Sequence, residues 1–176
     1  VNRTTGRHSA PVLRPTCRHP MGIGDVRFFG EKAMTIPDDV SIYLSKQSGN
    51  VERDDPRGVL NALDRLGIEH DTEFAAFYLA YQGPFISPRP VAELWDLLDY
   101  SGIVASLDYV RDRYGFPDHL LPLTSDESEG MYLYDALSGA VHDYDLAAHS
   151  HFMAGKIDAR WASFSAFLKW YFDDAA

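Results

Sequence analysis

Apolar and polar positions alternate most regularly over residues 130–144, which read GMYLYDALSGAVHDY. Met131, Leu133 and Asp135 alternate with Tyr132, Tyr134 and Ala136, a period of two that predicts a strand. Ser138-Gly139 marks a turn, and Ala140 through Tyr144 resume an aromatic-bearing run, so the stretch predicts an antiparallel hairpin. A lone hairpin is marginal in water and needs helices or further strands against it. Residues 120–124 (LLPLT) predict a strand entering the hairpin, and the loop 125–129 (SDESE) between them carries acids at 126, 127 and 129.

The other segments supply the helical period. Asp54 or Asp55 can cap a helix with Pro56 at its first position; Val59, Leu60, Leu63 and Leu66 form its stripe, and Gly67 ends it. After Asp71, Phe74, Phe77, Tyr78 and Tyr81 fall at i, i+3, i+4 and i+7, an aromatic wall read as core packing, and Gly83-Pro84 stops the helix. Phe85-Ile86 fits a short strand, and Pro90 opens a predicted short helix through Val91, Leu94, Trp95 and Leu98. Residues 103–114 predict a helix with Ile103, Leu107 and Val110 inward and Gly115 as its cap. Residues 146–156 show little commitment to helix. Asp158 caps a final predicted helix over 159–172, whose Trp161, Phe164, Phe167, Leu168 and Trp170 cover more than one face.

Towards the N-terminus, Pro37, Asp38 and Asp39 resemble a helix start with Thr35 as cap, although Val40, Ile42 and Leu44 alternate as a strand would. Val26, Phe28 and Phe29 lie between glycines in a predicted strand within 23–36. Residues 1–22 hold Arg3, Arg7, Arg14 and Arg18 and no acid, and read as an extended arm ahead of one α+β domain over 23–176.

Charge changes this picture more than length does. The 176 residues suit one core, and their net charge of −10 opposes binding to phosphate backbones. No basic run reverses that expectation, so no nucleic-acid partner is expected. Cys17 is the only cysteine, which excludes an intrachain disulfide and leans toward a reducing, cytoplasmic setting. No apolar run reaches the 18 residues of a membrane helix, so no membrane partner is expected.

The inventory of chemistry is thin. There is no G-x-S-x-G elbow and no phosphate-binding glycine loop. His142, Asp143, Asp145, His149 and His151 are the best metal-ligand types, but His142 and Asp143 point to opposite faces of a strand. Asp126, Glu127 and Glu129 lack the spaced oxygens and glycine of a calcium loop. No catalytic residue, cofactor or metal is expected, and a binding protein is the better reading.

Four ordered motifs carry a resemblance: Phe74 to Tyr81 with Gln82-Gly83; Tyr114-Gly115-Phe116-Pro117 leading to Leu121-Pro122-Leu123; Gly130-Met131-Tyr132-Leu133-Tyr134-Asp135 with Gly139-Ala140-Val141; and Trp161-Ala162-Ser163-Phe164 with Phe167-Leu168. Over about 57–172 the chain resembles the SUKH superfamily, which includes the yeast cell-wall assembly regulator and many bacterial immunity proteins. The resemblance implies an α+β fold with a small, mostly antiparallel sheet packed by several helices, and no catalytic centre. For the bacterial branch it implies neutralisation of a cognate toxin, such as a nuclease, by direct contact. For the eukaryotic branch it implies a non-catalytic regulatory or scaffold domain binding a host protein. An acidic chain suits a basic toxin, and the contact residues expected are Asp126, Glu127, Glu129, Asp143 and Asp145, with Tyr132 and Tyr144 as aromatic anchors where they face outward.

Overall fold

The computed structural model describes residues 35–127 and 129–174. The expectations for the basic arm, for Cys17 and for the strand around Phe28 lie outside the described residues. The hairpin forms as β2 (Gly130–Asp135) and β3 (Val141–Asp145), and β1 (Leu120–Pro122) adds on the other side of β2. The order is β1-β2-β3, antiparallel throughout, with Leu121 opposite Tyr134, Tyr132 opposite Asp143 and Gly130 opposite Asp145. This is an α+β fold with a small antiparallel sheet between helices.

Both sheet faces are covered, because side chains alternate along each strand. One face sends Leu121, Tyr134 and Val141 into the larger core. There they meet α1 (Asp38–Ser45), α2 (Arg57–Leu66), α3 (Glu73–Ala80) and α6 (Phe164–Tyr171). Phe74 stacks on Tyr134 at 4.3 Å between ring centroids and meets Phe164 at 5.2 Å, so the aromatic wall of α3 is core. The other face sends Leu120, Met131, Leu133 and Tyr144 into a second core with α4 (Ile103–Tyr114) and α5 (His149–Met153).

Local chemistry sets four of the helix ends. Thr72 accepts the N–H of Ala75 at the start of α3, and Ser163 accepts that of Ala166 at the start of α6. Gly67 and Gly115 end α2 and α4 at φ 67° and 70°, where a side chain would be strained.

Four expectations are corrected. Helix α1 forms, but behind Pro37 with no side-chain cap, so Thr35 does not serve. Pro56 sits one residue before α2, while Asp55 does accept the N–H of Arg57. The segment opened by Pro90 is not a helix: Leu94 pairs its N–H and carbonyl with Phe85, and the Trp95 N–H goes to the Leu123 carbonyl. The last helix starts at Phe164, because Trp161 is extended and exchanges both backbone bonds with Val141. Residues 146–148 form a 3-10 turn leading directly into α5.

A buried ion pair ties the irregular segments together. Arg53 Nη2 lies 2.5 Å from Asp96 Oδ2, with both side chains under a tenth exposed. Its Nε donates to the Tyr78 carbonyl, and Asp96 also accepts the N–H groups of Gly83 and Leu98. The buried charges are therefore paired and hydrogen-bonded, the condition under which such ions are tolerated.

Candidate functional site

The larger-core face of the hairpin changes character along its length. Tyr134 and Val141 are buried, Tyr132 and Asp143 come next, and Gly130 and Asp145 form the last pair. Gly130 is required there, since a Cβ would come within 2.6 Å of the Tyr144 carbonyl oxygen. Beyond Tyr132 the face opens into a concavity of about 720 Å³. Residues 90–93, Thr124, Ser125, Glu127, Glu129 and the end of the hairpin line it. Glu93, Glu127, Glu129, Asp143 and Asp145 border it.

Six of the residues expected at a partner surface border this concavity: Glu127, Glu129, Tyr132, Asp143, Tyr144 and Asp145. Their roles differ. Tyr144 does not face outward; it is 2% exposed, its ring packs on Phe116 and Phe152, and its hydroxyl lies 3.0 Å from His149 Nδ1. Asp145 accepts the N–H of Ala147 and so caps the 3-10 turn while remaining exposed. Tyr132 is half-buried, and burial, followed by the Asp143 carboxylate, pushes its hydroxyl above the ordinary value, keeping it protonated at neutral pH.

Asp126 stands apart from the other acids. Its Oδ2 accepts the hydroxyls of Tyr109 at 2.9 Å and Tyr114 at 2.5 Å. Burial pushes this carboxyl up, but the two tyrosine bonds, its own backbone N–H and the Arg113 charge together outweigh it and hold it below the usual range. Asp126 is thus the anchor that fastens the acidic loop to α4, rather than a free contact. The loop is fastened at its other end as well. Glu129 donates to the Asp126 carbonyl, accepts from the Leu146 N–H, and holds φ 57°, a left-handed conformation that a glycine would adopt more readily. Backbone strain held at the rim of a concavity is a recurrent mark of a functional surface.

A second group lies beside the concavity and was not legible as a unit in the sequence. Tyr132 packs edge-on against Trp161 at 5.5 Å and Trp170 at 5.6 Å, and the two indoles are 4.6 Å apart. The Arg160 guanidinium lies 4.7 Å from the Trp161 ring centroid and 4.9 Å from that of Trp170, while its Nη1 binds Asp143 Oδ2. Arg89 approaches Trp170 at 5.4 Å, donates to its carbonyl and pairs with Asp173. Glu93, Arg160, Trp161 and Trp170 were missed as site residues. The signal for Glu93 was hidden by the helix pattern at 91–98, and Trp161 and Trp170 read as members of one helix.

The arrangement offers charge and aromatic surface. Among the described residues no three His, Cys, Asp or Glu side chains are grouped to hold a metal ion. His142 faces the second core, where its ring meets Phe152 at 5.2 Å, and His149 is engaged with Tyr144. No helix among the described residues is long and apolar enough to cross a membrane. Comparison with protein-family models gives no match, and neither curated proteins nor solved structures give one.

Proposed function

We propose that this protein acts by binding a basic protein, and that it is an immunity protein covering a cognate toxin in the manner the SUKH resemblance implies. The observation that carries the reading is the acidic concavity at the open end of the hairpin. Of its five bordering carboxylates only Asp143 is in an ion pair within the described residues. Unpaired carboxylates gathered around a recess project a negative potential that steers a basic surface and speeds encounter. The recess also gives a protruding basic side chain a place to be surrounded, where each charge pair is screened less than on a flat surface.

Function here needs no reaction. A toxin is neutralised when its active cleft, or a surface it requires, is covered for longer than it takes to act, so slow dissociation is the selected quantity. The experiment uses a toxin domain that this protein retains in a pull-down from a panel of basic bacterial toxin domains. Co-expression with the wild type is expected to protect cells, and Glu127→Lys/Glu129→Lys is expected to weaken binding about 10- to 100-fold and abolish protection. Protection and affinity unchanged by the reversal would remove the concavity from the interface.

A further inference from the structure

The aromatic group beside the concavity already holds a cation, and it is the chain's own. Arg160 lies close to both indoles, at 4.7 Å and 4.9 Å from the ring centroids, and places a guanidinium nitrogen on Asp143. A planar, weakly hydrated ion suits this combination of π faces and a carboxylate; a lysine ammonium satisfies the acid but stacks poorly. The walls are fixed from three directions. Asp143 belongs to β3, Trp161 is bridged to Val141 by both backbone bonds, and Trp170 belongs to α6. The occupant is the more accessible part: Arg160 is about half exposed, and its pair with Asp143 is a surface pair of the kind held weakly.

We infer that Asp143, Trp161 and Trp170 form an arginine-selective subsite at the edge of the concavity, occupied by Arg160 in the free protein and by an arginine of the basic partner in the complex. This rests on the reading of the concavity as a basic-partner site. Asp143 and Tyr132 belong to both the concavity and the cage, so a guanidinium entering the recess meets the cage first on its Tyr132 side. Four further carboxylates border the recess, and their field draws a second cation to the edge of the subsite, where it competes with Arg160 for Asp143 and the indoles. Arg160 therefore acts as an internal competitor that keeps the tryptophans covered until an arginine-bearing surface arrives.

The test uses the full chain and two probes of equal length and charge, hexa-arginine and hexa-lysine, titrated by calorimetry. The wild type is expected to prefer hexa-arginine only about twofold, because an incoming guanidinium must first displace Arg160 from the subsite. Arg160→Lys keeps the net charge and weakens only the internal competitor. It is expected to raise the preference for hexa-arginine over hexa-lysine about fivefold, and adding Asp143→Asn is expected to erase that gain. Arg160→Ala should shift the preference in the same direction and serves if the lysine variant does not fold. A preference unchanged in both Arg160 variants, or no binding of hexa-arginine to either, overturns the inference. The reversal Glu127→Lys/Glu129→Lys separates it from the reading beneath it. Weakening of both probes with an unmoved preference leaves the concavity and removes the subsite. A moved preference with affinities insensitive to the reversal leaves the subsite and removes the concavity.

Discussion

Two arginine–aspartate pairs in this protein use the same ions for opposite ends. Arg53 and Asp96 are 7% and 6% exposed, whereas Arg160 and Asp143 are 49% and 43% exposed. Around the first pair the backbone supplies further partners: carbonyls of Tyr78 and Tyr81 accept from the guanidinium, and the N–H groups of Gly83 and Leu98 donate to the carboxylate. Around the second pair the neighbours are two indoles and an open acidic recess. Surroundings, not ion type, decide the role. Desolvation makes the first pair impossible to break cheaply and so makes it a staple of the fold. Hydration leaves the second weak, as the proposed exchange with a partner arginine requires.

Removing one member of each pair separates these roles most strongly. Asp96→Ala leaves Arg53 charged and buried and also orphans two backbone donors, so a loss of about 3–5 kcal/mol is expected in urea unfolding. A loss under about 1 kcal/mol would mean that the interior is wetter than the geometry implies. At the other region, Arg160→Ala is expected to change stability by no more than about 1 kcal/mol while altering arginine recognition. A large stability loss there would make the cage a structural brace. Glu129→Gly sharpens the same contrast within the acidic loop. Relief of the left-handed strain is offset by glycine's greater freedom when unfolded, so stability should move by less than about 1 kcal/mol while affinity for a basic probe falls.

The smallest effect concerns the second core. Burial pushes the His142 imidazole below its ordinary pKa, against the pull of Asp135 and with the help of His119, and Nδ1 is buried without a hydrogen-bond partner. The unfolded chain therefore takes up a proton at higher pH than the folded one. The contribution of neutral His142 is complete above about pH 6.5 and is lost as the pH falls from there through the folded value. Melting temperature should drop on acidification across that window, and His142→Phe should flatten the drop. A slope identical in both proteins would place the pH dependence elsewhere.

How much of this was legible in the sequence depended on how local the cause was. Helix α4 ends at Gly115 as its pattern requires, and the hairpin register follows from alternation and the Ser138-Gly139 turn. The wall of Phe74, Phe77 and Tyr78 likewise follows from the spacing along one helix. The segment after Pro90 fails because its fate is set at long range. The Tyr171 hydroxyl accepts the Leu94 N–H and reaches the carbonyls of Phe85 and Ala92, and Asp96 answers to Arg53, 43 positions earlier. A helical pattern of apolar residues cannot announce those partners. The same holds for the site. Acidity was readable, but the step that extends Trp161 onto β3 and sets Arg160 between Asp143 and two indoles depends on tertiary pairing. Asp126 looked equivalent to Glu127 until two tyrosines from α4 claimed it.

The central claim is that a basic surface docks in the recess bordered by Glu93, Glu127, Glu129 and Asp145. Amide chemical-shift mapping of the labelled full chain during titration with hexa-arginine tests it most directly. The account predicts that the largest shifts cluster at residues 90–93, 127–132 and 143–145, and that they diminish as salt is raised. Shifts spread evenly over the acidic surface, or centred on residues 57–71, would contradict it.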